Sequence, residues 1–110
     1  MSVQVFPYYK PKPPIEKDII AEFKENGFTP YHVIMQKSEQ TGVVQQNFKE
    51  TRVLISGKVD LAADGRRYEL LPGYKVDISK GTPFVAKNLE NGQSVFVCVK
   101  GGTTVEIEIY

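Results

Sequence analysis

The sequence predicts an all-β domain with one helix near its N-terminus. From Tyr31 onward, apolar and polar residues alternate with a period of two through nine short segments. Turn dipeptides punctuate them: Asp64-Gly65, Pro72-Gly73 and Asn91-Gly92. Only Ile15 to Asn26 has a helical spacing of apolar residues. Many short strands at close spacing belong to a sandwich or a closed barrel, and periodicity leaves the choice between them open.

Taken in order, Val3 and Val5 alternate with polar neighbours, which predicts a short strand ending at Pro7. YYKPKPP follows as a connector stiffened by prolines, each of which fixes φ and removes a backbone donor. In the helical segment Ile15, Ile19, Ile20 and Phe23 form one apolar stripe, and Gly27 supplies a left-handed stop. That stop lets Phe28 fold back onto Phe23. The segments YHVIMQ, GVVQQNF, TRVLISG, KVDLAA, RRYELL, YKVDIS, PFVAKN, SVFVCVK and TVEIEIY then read as strands. Asp64-Gly65 and Asn91-Gly92 suit tight hairpins and Pro72-Gly73 a type II turn, while Gly57, Gly73 and Gly81 fall where unusual φ is needed. The division is into an N-terminal strand, connector and helix over residues 1–30, packed on a barrel of residues 31–110, one domain overall.

Composition narrows the function classes. A chain of 110 residues, 41% hydrophobic and 25% charged, can bury a core without disulfide staples. Its net charge is +1 with Lys and Arg dispersed, so it lacks the basic footprint of a nucleic-acid partner. Cys98 is the one cysteine, which excludes an internal disulfide and suits a reducing compartment. The N-terminal stretch lacks the apolar core of a signal peptide, and no apolar run approaches the ~20 residues of a membrane span. A cytoplasmic protein without a membrane partner is expected.

The stretch from Gly42 to Asn88 resembles the two motifs of the cupin superfamily. The second motif is usually G-x5-P-x-G-x2-H-x3-N. Here Gly73 is followed at those intervals by Ser79, Gly81, Phe84 and Asn88, so serine replaces the proline and phenylalanine the histidine. The first motif is usually G-x5-H-x-H-x3,4-E-x6-G. Glu50 and Gly57 stand at its final spacing, and the two histidine positions fall on Val44 and Gln46, or on Val43 and Gln45. The resemblance implies a double-stranded β-helix, or jelly-roll, barrel with an N-terminal helix. In that family the motif histidines and glutamate hold a divalent metal inside the barrel. Of the expected donors only Glu50 remains, too few for a site that needs three or four N or O ligands. No metal and no other cofactor is expected.

Glu50 needs another explanation. Residues two apart on a strand share a face, so Glu50, Arg52 and Leu54 point the same way. If Glu50 faces inward, as the resemblance implies, Arg52 does too, and each is the other's natural partner. They form either an internal ion pair filling the space of the lost metal site, or a site where Arg52 offers its guanidinium to a carboxylate or phosphate. Tyr68 could add a hydroxyl to the pocket, although such a tyrosine is more often core with its OH at the rim. Phe84 is placed to plug the barrel mouth, narrowing an apolar pocket or removing it. Cys98 shares a face with Phe96, and with no histidine nearby in sequence it reads as a small core residue. His32, the single histidine, reads as a surface or interface residue.

The candidate ligand-binding residues are therefore Gln46, Glu50, Arg52, Tyr68, Phe84 and Cys98, with Glu50 the best catalytic candidate if there is catalysis. The leading expectation is a metal-independent module binding a small organic acid or sugar derivative. The alternative is a metal-independent isomerase or epimerase with Glu50 as base and Arg52 or Tyr68 stabilising the oxyanion. A metal enzyme with rebuilt ligands Gln46, Glu50 and Cys98 is a third, weaker reading. The ends SVQVF and TVEIEIY would leave open strand edges, so a homodimer is expected.

Overall fold

In the computed structural model, which describes residues 2–101, the alternating segments form two antiparallel sheets whose inner faces share one core. Among the described residues the strands are β1 (Val3–Phe6), β2 (Tyr31–Met35), β3 (Val44–Gln45), β4 (Glu50–Ser56), β5 (Val59–Ala63), β6 (Arg66–Leu70), β7 (Lys75–Ile78), β8 (Pro83–Asn88) and β9 (Ser94–Lys100), with α1 (Glu16–Glu25) between β1 and β2. One sheet runs β1-β7-β4-β9-β2 and the other β3-β8-β5-β6. Leu54, Val76, Ile78 and Phe96 of the first pack against Val59, Leu61, Leu70, Phe84 and Ala86 of the second. The predicted strand TVEIEIY lies outside the described residues.

The helix is held on the outer face of the five-stranded sheet. Ile19 and Phe23 bury against Val53, Val97 and Val99, which point away from the barrel. The chain stops at Gly27, φ 84°, where Phe28 N–H donates to Phe23 C=O and Gly27 N–H to Lys24 C=O at 3.0 Å each. The Phe23 and Phe28 rings meet edge to face with centroids 6.2 Å apart, the apolar contact such a stop brings. Ile15 does not join the stripe. It is the extended residue before the first turn, and it stays 55% exposed.

Three other expectations are corrected. The N-terminal strand is part of the barrel wall rather than packed on it: β1 pairs with β7, Val3 opposite Ile78 and Val5 opposite Val76. The segment GVVQQNF yields only the two residues of β3, because beyond Gln45 the chain leaves the ladder and bends at Asn47 and Phe48. There Gln46 C=O accepts from Gly81 N–H at 2.8 Å. Asn91-Gly92 closes no hairpin. It lies in a crossover from β8 in one sheet to β9 in the other, and Gly92 is not left-handed.

The buried Asn88 side chain organises that crossover. Its Nδ2 donates to Gln36 C=O and Gly92 C=O at 2.8 Å each, and its Oδ1 accepts from Ser94 Oγ at 2.6 Å. Gly73 sits at φ 93° with Tyr74 N–H donating to Leu71 C=O at 3.0 Å, as a type II turn requires. A Cβ there would lie 2.3 Å from the Tyr8 ring, so a side chain is excluded by space as well as by φ.

Candidate functional site

Strand alternation turns Glu50, Arg52 and Leu54 inward, as the sequence predicts. Pairing extends each position into a row across the five-stranded sheet. One row runs Val5, Val76, Arg52, Cys98 and Tyr31; the next runs Val3, Ile78, Glu50 and Lys100. The site is where these two rows meet.

Glu50 is 1% exposed and its carboxylate is surrounded by donors. Arg52 Nε and Gln46 Nε2 both donate to its Oε1, the latter at 3.4 Å, while Tyr31 OH donates to Oε2. The guanidinium of Arg52 lies over two aromatic rings, its carbon 5.3 Å from the Phe84 centroid and 5.5 Å from the Phe96 centroid. This is a desolvated cation–π arrangement added to a buried ion pair. Only Nε is spent on Glu50. Among the described residues no acceptor bonds the terminal amino groups of Arg52, and the side chain keeps 11% exposure.

Two neighbours set the electrostatics. Burial pushes the Cys98 thiol up to about 12, opposed by the Arg52 cation and helped by Glu50, so it is protonated at neutral pH and no nucleophile. Burial also raises the Tyr31 hydroxyl far above its ordinary value, and its bond to Glu50 adds to this, so it stays a neutral donor. Lys100 stands in register with Glu50, its ammonium 4.6 Å from the Phe48 centroid and 5.8 Å from that of Tyr31. No carboxylate pairs with Lys100 among the described residues. Among the described residues, Arg52 and Lys100 thus set two cations around the one carboxylate of Glu50. Beside it an open cavity of about 330 Å³ is lined by Gln45, Gln46, Asn47, Lys80 and Gly81.

The donor set does not fit the divalent metal that the motifs would imply. Among the described residues no three His, Cys, Asp or Glu side chains converge. The carboxylate at the motif position is engaged by a guanidinium, and Phe84, paired with Val44 across β8 and β3, contributes a ring to that cation. Arg52 supplies internally the positive charge that Glu50 requires.

Of the six predicted residues, the structure brings together Gln46, Glu50, Arg52 and Phe84, with Cys98 beside Arg52 in the adjoining strand. Phe84 is a core residue under the guanidinium rather than a plug at the mouth. Tyr68 faces the interior from β6, opposite Leu61, partly buried against the core, and forms no hydrogen bond with the Glu50 group. His32 lies outside the barrel, its Nε2 2.8 Å from Glu16 Oε1 of α1. Sequence reasoning missed Tyr31, Phe96 and Lys100. The signal was present as alternation, since Tyr31, Val33 and Met35 share a face, but the register that sets Tyr31 beside Cys98 is a long-range pairing.

No family model and no curated protein matches the sequence. Solved structures do. The chain is similar to the Schizosaccharomyces pombe Cnp3 cupin domain at 12% identity and TM-score 0.63, covering 93% of this chain and 62% of that one. It is similar to the Drosophila melanogaster CENP-C cupin domain at 18% identity and TM-score 0.55, covering 64% and 59%. With a predicted oxalate decarboxylase of Thermotoga maritima it shares 14% identity at TM-score 0.60, covering 74% and 73%. The chain thus spans about three fifths of the length of the first two. At these identities the likeness is one of fold.

Proposed function

The chain has the cupin fold, and we propose that it is a metal-independent binding module whose ligand is a small organic acid or an acidic sugar derivative. The observation that carries this reading is the state of Arg52. Glu50 fixes its Nε, Phe84 and Phe96 hold its plane, and the terminal amino edge has no acceptor among the described residues. A guanidinium immobilised in this way loses little entropy on meeting a planar carboxylate, which it can bind through two parallel hydrogen bonds. Lys100 adds a second cation at the same end. The alternative, proton abstraction by Glu50, is disfavoured because both its oxygens already accept hydrogen bonds and the residue is almost fully enclosed. Rebuilt metal ligation through Gln46, Glu50 and Cys98 is disfavoured by the guanidinium on Glu50 and the protonated thiol.

The test is a thermal-shift titration against small carboxylic acids and acidic sugars at fixed ionic strength. A saturable rise in Tm is expected, weakened in Lys100→Ala and lost in Arg52→Lys, which keeps the charge but not the planar edge. No saturable shift with any of these acids, or an undiminished one in Arg52→Lys, contradicts the proposal. For assembly we propose a homodimer through β1, which with β2 forms the two edges of its sheet among the described residues. Light scattering at micromolar concentration should return twice the 12.4 kDa chain mass, and a monomer would reject it.

A further inference from the structure

Gln46 carries an atom that the described residues leave unsatisfied: its amide Oε1 is buried and accepts no hydrogen bond from them. The other end of the amide sets its orientation. Nε2 donates to Glu50 Oε1 at 3.4 Å, and turning the amide over would set two acceptors against each other. A buried acceptor without a donor is disfavoured, and native chains pair such groups. The orphan stands close to Arg52, because Gln46 and Arg52 bond the same oxygen of Glu50. Gln46 also lines the open cavity beside the site, while Arg52 is not among the residues that line it.

Resting on the anion-binding reading, we infer that the ligand is a 2-hydroxy acid, or a sugar acid with the same pattern. Its carboxylate lies on the free edge of Arg52, and its neighbouring hydroxyl donates to Gln46 Oε1. A carboxylate alone only accepts and cannot satisfy an amide oxygen; a hydroxyl on the adjacent carbon can, and it reaches a second group close to the first. The bond from Gln46 to Glu50 is at the long limit for a hydrogen bond, and the residue is only half-buried. Presenting the buried oxygen to the hydroxyl takes a side-chain rotation that exchanges this long bond to Glu50 for one to the ligand.

Isothermal titration calorimetry of the full chain with glycolate against acetate, and lactate against propionate, tests this at one ionic strength. The hydroxy acid of each pair binds about fivefold to tenfold more tightly, the value of one added hydrogen bond to a buried acceptor. Gln46→Met keeps the length and removes the acceptor, and it binds both members of a pair equally, at the wild-type affinity for the acid without the hydroxyl. Equal affinities within each pair in the wild-type chain overturn the hydroxy-acid inference and leave the anion reading standing. Discrimination that survives in Gln46→Met removes Gln46 from it. Absence of saturable binding by all four acids removes both.

Discussion

Replacing Arg52 by methionine removes the guanidinium that lies over Phe84 and Phe96 while keeping most of the aliphatic stem that carries it. What remains is a carboxylate 1% exposed with no cation on it. Removing one partner of a buried ion pair costs about 3–5 kcal/mol, because the other charge is left uncompensated. The lost cation–π contacts add up to about 2 kcal/mol. In a domain of this size 1 kcal/mol corresponds to roughly 4–8 °C in Tm, so Arg52→Met should melt at least ~12 °C below wild type. The double variant Glu50→Gln/Arg52→Met separates this cause from simple loss of packing. With the charge gone and an amide oxygen still able to accept from Tyr31, most of the loss should be recovered, to within about 2 kcal/mol of wild type. Urea unfolding followed by circular dichroism measures all three. The reasoning is refuted if Arg52→Met lies within 1 kcal/mol of wild type, or if the double variant is no more stable than the single one.

Phe23→Ala removes the main anchor of α1 on Val53, Val97 and Val99 and should cost about 3–5 kcal/mol in the same assay, whereas Ile15→Ala, at an exposed position, should cost under about 0.5 kcal/mol. Stability should fall at alkaline pH for a stated reason. The Cys98 thiol rises from 9.0 to about 12 on folding, so above pH 9 the unfolded chain releases a proton that the native chain retains. The contribution is complete below that value and disappears as pH climbs toward 12; the raised Tyr31 hydroxyl acts in the same direction. Urea midpoints at pH 7 and pH 10 should therefore decline, and less so in Cys98→Ala. Consistent with that protonated, buried thiol, a disulfide reagent at pH 8 should label Cys98 only as fast as the chain unfolds; rapid labelling of the native protein would contradict its placement.

What was legible in the sequence was whatever depended on near neighbours. Alternation along β4 set Glu50 and Arg52 on one face, and Gly27 followed by Phe28 announced the end of α1. The motif spacing from Gly73 to Asn88 led to the fold, although Phe84 and Ser79 depart from it. Turn dipeptides report that the chain reverses but not into which sheet it returns, so Asn91-Gly92 reads as a hairpin when it is a crossover. Ile15 satisfied the helical spacing but precedes the first turn, where the apolar face has not begun. Tyr31 and Lys100 could not be placed beside Glu50 because pairings with β9, remote in sequence, bring them there. Tyr68 has the right alternation but a strand in the opposite sheet, away from the carboxylate.

Titrating glycolate into protein dialysed exhaustively against a chelator is the most direct measurement. An internal guanidinium in place of a metal predicts single-site binding with the same affinity before and after dialysis, and no change when zinc, iron or manganese is restored. Binding that vanishes with the chelator and returns with one of those ions would contradict it.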